Sequence, residues 1–217
     1  MAEPQNLYQL LKCAANGPQS SGITTFNTAG DQSQRSKFTS YKALLDKAEQ
    51  KSFPIRGLIN LNKNNIVLLH VDNYEDGIVW FWAIIAAGGV PCMSTPFSKD
   101  EVQRVKHLRS LSQLLNKPTI ITGDHLLSEF EGLNQTPAQT LWSFSHIDQE
   151  HSNSGVFANI TDATCYPALS KKSNDVGVLM LTSGSTGASV SIKSPFSFAP
   201  ETLFTSPGAC FTTLNLR

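Results

Sequence analysis

The chain has 217 residues, 17 basic and 17 acidic residues, a formal net charge of zero, and 40% hydrophobic content. That length holds a substantial core in one large domain or two small ones. With no basic stripe, nucleic acid is excluded as the expected ligand. The four cysteines, Cys13, Cys92, Cys165 and Cys210, are far apart and include no Cys-x-x-Cys pair. This argues against a disulfide framework or a zinc site and fits a reducing, cytoplasmic setting. The opening residues, Met1 to Asn6, lack the basic start and apolar run of a secretory signal.

In chain order, residues 1–40 are polar and turn-rich. Leu7–Leu11 predicts a short helix, Gly22–Phe26 a strand, and Phe38–Tyr41 an entry into a helix reaching Ala48. Asn65–Val71 reads as a buried strand, and Asp72 with Glu75 as a capping-box start for a helix over Tyr74–Ala87. Gly88 and Gly89 stop that helix, and Val90–Met93 is a second strand. Strand, helix and strand make a βαβ unit with parallel strands and a right-handed crossover. The segment Ile78–Val90 is apolar all round but shorter than the ~20 residues that span a bilayer. It is therefore expected to be a buried helix, with no membrane partner.

The pattern repeats. Ser98 and Glu101 form a second capping box, and Val102, Val105, Leu108, Leu111 and Leu115 share one helix face. Lys117-Pro118 ends the helix, Thr119–Thr122 is a strand, and Asp124 caps a short helix through Phe130. Residues 131–140 read as a loop, Leu141–Phe144 as a strand, 148–174 as polar and irregular, and Val176–Leu181 as a buried strand. The alternation indicates an α/β fold with a doubly wound, mostly parallel sheet and flanking helices.

The strand at 176–181 runs into Thr182, Ser183, Gly184, Ser185, Thr186 and Gly187. All six are small and four carry hydroxyls. Glycines allow close backbone approach to a ligand, and free N–H groups with hydroxyls can wrap an anion. A Ser/Gly/Thr linker is the plainer alternative. A strand directly before the run favours the phosphate-binding one. Other phosphate motifs fit worse: there is no Gly-Lys pair for a P-loop, no Gly-x-Gly-x-x-Gly, and no Gly-x-Ser-x-Gly elbow.

This hexapeptide resembles the phosphate-binding loop of the adenylate-forming (AMP-binding) superfamily, which includes acyl-CoA synthetases, luciferases and nonribosomal peptide synthetase adenylation domains. The pattern there is Thr-Ser-Gly-Ser/Thr-Thr-Gly, a variable residue, often Pro, then Lys. The run Phe81–Pro91 is similar to the family's W-A-x-x-x-A-G-x-V-P segment, and the amphipathic helix and strand that follow it to the next family unit. Phe38–Tyr41 is similar to the family's opening. The likeness covers roughly residues 20–187, with a flavour of fungal synthetase-like proteins that couple adenylation to a carrier and a reductase.

The resemblance implies an N-terminal portion of an adenylation domain. In that family a carboxylic acid and Mg-ATP give an acyl-adenylate and pyrophosphate, and the acyl group passes to a phosphopantetheine thiol on a carrier. It also implies that Thr182–Gly187 bind ATP, with Ser183, Ser185 and Thr186 hydrogen-bonding the β- and γ-phosphates. No catalytic residue and no metal ligand is assigned. The sequence departs from the family where its Lys should follow: it reads Ala188-Ser189-Val190, and Lys193 is out of register. The later adenine, Mg-ATP and ribose motifs and the small C-terminal domain have no counterpart. The expected organisation is a partial adenylation domain over 1–187 and an atypical Ser/Thr/Pro/Phe-rich tail over 188–217, disordered or non-native. The chain alone is expected to be inactive, with a non-catalytic binding module or a truncated or mis-spliced gene product as alternatives.

Individual residues read more plainly. His70 is expected as a satisfied strand-end histidine, with substrate contact as the alternative. Asp72, Glu75 and Asp76 suit capping and the helix dipole. Trp80 and Trp82 suit the core. The remaining histidines show no metal-ligand spacing. No His or Lys is placed by sequence to activate Ser183, Ser185 or Thr186. Val190-Ser191 can be encoded by GTAAGT or GTGAGT, sequences typical of a splice donor. Sequencing the native transcript is expected to show an intron boundary at these codons; an uninterrupted message there removes the mis-splicing explanation.

Overall fold

The computed structural model describes residues 4–26, 36–62, 65–94, 96–130, 141–153, 176–183 and 189–195. In chain order these form α1 (Leu7–Ala15), β1 (Gly22–Phe26), β2 (Ser36–Ser40), α2 (Tyr41–Asn62), β3 (Ile66–His70), α3 (Tyr74–Ala86) and β4 (Val90–Met93). They continue with α4 (Glu101–Leu114), β5 (Thr119–Thr122), a 3-10 helix (Asp124–Phe130), β6 (Leu141–Ser143), α5 (Phe144–Asn153), β7 (Val176–Ser183) and β8 (Ser189–Pro195). β1 and β2 form a separate antiparallel ribbon, and the six-stranded main sheet has the order β6-β5-β3-β4-β7-β8. Its first five strands are mutually parallel, and β8 runs antiparallel to β7. The doubly wound α/β fold expected from the sequence is the observed one.

Alternation along the strands builds two cores. Val67 and Leu69 of β3 and Ile121 of β5 join Ala48, Ile55 and Leu58 of α2, Trp80, Ala83 and Ile84 of α3, and Ile147 of α5. Leu68 and Ile120, one residue out of phase, face the opposite way and meet Leu108, Leu111 and Leu115 of α4 and Phe130. Period-two strands buried on both faces require this near-continuous apolar sequence. Helix α3 is apolar all round because it is covered twice. Its Ile85 and Ala86 pack against Tyr8 and Leu11 of α1 and Leu44 of α2. Among the described residues no helix is long and apolar enough to cross a membrane.

Several boundaries differ from the sequence expectations. Helix α2 does not stop near Ala48 but continues through Pro54 to Asn62. An interior proline costs ~3 kcal/mol of helix stability, and burial of Ile55 and Leu58 against the sheet offsets it. The α3 cap is Asn73, not Asp72: its side chain accepts from the Glu75 N–H at 2.9 Å. The α4 cap is Asp100, not Ser98. Asp100 accepts from the Gln103 N–H at 2.9 Å, while the Ser98 hydroxyl accepts from Asp100 itself. Val102 is 78% exposed, so the apolar stripe of α4 starts later than its spacing suggests. β6 stops at Ser143, and Phe144, expected in that strand, opens α5 instead. The Ser143 hydroxyl accepts from the His146 N–H at 3.3 Å, and the Phe144 ring stacks on Trp80 at 4.7 Å. The loops expected over 131–140 and most of 148–174 lie outside the described residues.

Two glycines do separate work at the end of α3. Gly88 has φ 85°, a left-handed conformation that closes the helix. Gly89 lies so close to the core that a Cβ would sit 2.8 Å from Ile84 Cγ2 and 2.9 Å from Ile59 Cδ1. Ile84→Ala is expected to lower unfolding free energy by about 2–5 kcal/mol, and Val102→Ala by less than about 0.5 kcal/mol. Urea denaturation of the two variants tests the layer assignment, and equal effects would overturn it.

Candidate functional site

In a parallel sheet, ligands bind beyond the carboxyl ends of the strands, where neighbouring connections leave toward opposite faces. Here that place lies between β3 and β4. β3 leads into α3, which packs on the Val67/Leu69 face. β4 leads into α4, which packs on the Leu68 face. His70 ends β3, Ser94 follows β4, and the two side chains bridge the gap through His70 Nδ1 and Ser94 Oγ.

His70 is 5% exposed, and both its ring nitrogens are engaged. Nε2 lies 3.1 Å from Glu129 Oε2 on the 3-10 helix. An ionised carboxylate only accepts, so Nε2 carries the proton, and Nδ1 accepts from the Ser94 hydroxyl. Phe97 stacks on the imidazole at 4.2 Å and Phe130 meets it edge-on at 5.3 Å. Burial among these rings lowers the His70 pKa below 6.5, against the opposing pull of Glu129. The ring is therefore neutral near pH 7. Thr122, the β5 register partner of His70, is fully buried and its hydroxyl has no hydrogen-bond partner.

A second, exposed layer surrounds this core. Asp72, after β3, pairs with His125 at 2.9 Å. That hydrogen bond lowers the Asp72 pKa and raises that of His125. Asp124 accepts from Ser145 Oγ at 2.8 Å, and its hydrogen bonds to Ser143 and Ser145 lower its pKa. Glu75 pairs with Lys37 and accepts from Thr25, which ties the β1–β2 ribbon to α3 and holds the Glu75 pKa down. Asp76 accepts from Asn73. The three acids near the start of α3 thus have separate partners and form no single cluster. Among the described residues no group of three or more His, Cys, Asp or Glu is arranged to hold a metal.

The expected phosphate loop is only partly described. Thr182 and Ser183 are the last two positions of β7, where they pair with Val190 and Ser189 of β8. The strand thus extends two residues beyond the expected Leu181. Gly184, Ser185, Thr186 and Gly187 lie outside the described residues. β7 ends at Ser183 on the same carboxyl edge as His70 and Ser94, because β3, β4 and β7 are parallel. β8 was not anticipated from the sequence. Lys193 pairs with Leu179, well down the hairpin from its Ser183–Ser189 end. At ~3.3 Å per residue this puts its backbone roughly 13 Å from the turn. The His70–Ser94–Glu129 assembly was also missed. Sequence shows a strand-end histidine, but its partners are distant in the chain, and only the crossovers bring them together.

Nonribosomal peptide synthetase acyN of Ascocoryne sarcoides is 39% identical over 183 residues, which is 84% of this chain and 18% of that protein. Microperfuranone synthase of Emericella nidulans is 36% identical over 188 residues, 87% of this chain and 19% of that protein. The chain belongs to the adenylate-forming superfamily. It spans about a fifth of the length of these curated relatives. No family model matches the chain. The structure of McyG A-PCP complexed with phenylalanyl-adenylate aligns with a TM-score of 0.60 at 20% identity, covering 89% of this chain and 33% of that one. Fatty acyl-adenylate ligases from E. coli and L. pneumophila align with a TM-score of 0.61 at 21% identity, covering 88% and 32%. These structures bear on the fold: the sheet and helices described above are part of an adenylation-domain architecture.

The lowered His70 pKa gives this adenylation-domain edge a defined acid response. The unfolded chain takes up the proton near 6.5 while the folded chain resists it, so the contribution is intact above pH 6.5 and is lost as pH falls. His70→Gln is expected to flatten the fall in melting temperature between about pH 7.5 and 5.5. Parallel thermal melts of parent and variant across that range measure it, and identical pH profiles would refute a depressed His70.

Proposed function

We propose that the chain forms the N-terminal part of a carboxylate-activating domain. In the whole domain, a carboxylic acid and Mg-ATP would react to give an acyl-adenylate and pyrophosphate, with the acyl group passing to a phosphopantetheine thiol on a carrier. The observation that carries this reading is the 39% identity to a nonribosomal peptide synthetase over 183 residues. The Thr182–Gly187 run supports it, because β7, which ends in Thr182 and Ser183, reaches the carboxyl edge of the sheet beside β4. A cytoplasmic location belongs to the same reading, and the free thiols of Cys13 and Cys92 are compatible with it.

The donor chemistry of this loop fits only part of the nucleotide. Backbone N–H groups and the hydroxyls of Thr182, Ser183, Ser185 and Thr186 suit the β- and γ-phosphate oxygens, with Gly184 and Gly187 allowing close approach. Mg-ATP supplies the electrophilic α-phosphorus and the leaving pyrophosphate. Neutralising the charge that develops needs a cation at the loop, and Ala188-Ser189-Val190 offers none. Lys193 is out of register with the family's Lys. That departure favours a second reading for the 217-residue chain alone: a non-catalytic phosphate-binding or interaction module.

Two measurements on the purified chain separate these readings. Pyrophosphate exchange with a panel of carboxylic acids is expected to be absent, and detectable exchange would refute inactivity. Mg-ATP is expected to raise the melting temperature, as any ligand selective for the native state does. The shift should vanish in Ser185→Ala/Thr186→Ala. A melting temperature unmoved by Mg-ATP would sink the phosphate-binding assignment of Thr182–Gly187.

A further inference from the structure

Ser94, His70 and Glu129 meet the geometric signature of an activated nucleophile. A hydroxyl is hydrogen-bonded to a base, and the base is oriented by a third group through its other ring nitrogen. Such constellations are recognised by geometry and roles rather than by chain order or fold. We propose that Ser94 is an acyl-accepting nucleophile for short aliphatic esters and thioesters, with His70 as its general base and Glu129 as the positioning residue.

Four features of the edge carry this. The three residues come from β3, the segment after β4 and the 3-10 helix, and meet beyond the carboxyl ends of β3 and β4, the edge where doubly wound sheets place ligands. Glu129 holds the Nε2 proton, which leaves Nδ1 free to accept the proton of Ser94. This exchanges the two ring nitrogens relative to serine proteases, but either nitrogen of a neutral imidazole serves once the other is fixed as donor. Phe97 and Phe130 keep water off the ring, which strengthens electrostatic interactions there. Ser94 is only half-buried, and Met93 and Pro96 beside it are exposed, giving an apolar flank for an acyl chain.

The chemistry closes without ATP. Ser94 Oγ attacks the carbonyl carbon of the ester as its proton moves to His70 Nδ1. The bond to the leaving oxygen or sulfur breaks, and that atom takes the proton from Nδ1. Water then attacks the acyl-serine ester by the same route, releasing the carboxylic acid and restoring Ser94. The charged groups around the imidazole are Glu129 on the 3-10 helix and Asp72 after β3, the latter paired with His125. His107 of α4 lies behind Phe97, the ring centroids 5.8 Å apart.

The test treats the full 217-residue chain with a fluorophosphonate probe and maps the adduct by peptide mass spectrometry, alongside hydrolysis of p-nitrophenyl butyrate. The expected results are a covalent adduct on Ser94 and hydrolysis that falls at least about 100-fold in Ser94→Ala. Glu129 raises the His70 pKa, so Glu129→Gln should move the pH midpoint of labelling lower, a readout that a merely structural role would leave in place. Folded parent chain carrying no adduct on Ser94, or Ser94→Ala hydrolysing at the parent rate, overturns the proposal. Labelling that persists with an unmoved midpoint in Glu129→Gln overturns the role given to Glu129. The adduct is read on the parent chain, so a variant that fails to fold does not remove the test.

Discussion

Helix α3 touches the sheet through Ala83 and Ile84 and touches α1 and α2 through Ile85 and Ala86. A helix with no polar face can exist in water only if both sides are covered. That condition organises much of the chain. α2 must run past Pro54 to reach Ile55 and Leu58, and α1 must close over the outer side. The Gly88-Gly89 pair must let the chain turn back tightly enough for Val90 to join β3. The sequence alone read Ile78–Val90 as a buried helix. The fold supplies its covering neighbours, and among the described residues the large hydrophobics left exposed include Phe26, Phe38, Val102, Leu114 and the 52%-exposed Met180.

The same crossovers create the polar edge. One connection leaves β3 for one face and the next leaves β4 for the other, so the chain diverges beyond the carboxyl ends of these two parallel strands. A histidine buried there needs partners for both nitrogens, because an unpaired buried polar group costs about 1–3 kcal/mol. Ser94 and Glu129 meet that need. The arrangement therefore satisfies a core histidine and poises a hydroxyl beside a neutral imidazole. Stability alone requires the first; reactivity of Ser94 would show that the second is used.

The family relationship and the missing cation meet in the β7–β8 hairpin. β7 carries Thr182 and Ser183 to the carboxyl edge, while Lys193 pairs with Leu179 further back along β8. Hydroxyls and N–H groups can hold phosphate oxygens, but transfer at phosphorus also needs charge neutralised at the moment the leaving group departs. Kinship with adenylation domains is thus compatible with a chain that would not complete adenylation by itself.

Apolar periodicity was enough to place β3, α3, β4 and β5, because strands buried on two faces and a helix covered twice must be apolar almost throughout. Of the Thr182–Gly187 run expected from the sequence, Thr182 and Ser183 form the end of β7, and Gly184–Gly187 lie outside the described residues. Capping was harder to read. Asn73 and Asp100 displaced Asp72 and Ser98 because caps are decided by side-chain reach to particular N–H groups, and neighbouring polar residues compete for them. α5 was missed because Phe144 and Ile147 become core residues only when Trp80 and the sheet are beside them. The residues of the chain determined its layers, its family and its candidate phosphate loop, since these rest on local pattern. Tertiary structure alone decided that His70, Ser94 and Glu129 meet, since contacts across crossovers leave no periodic trace in the sequence.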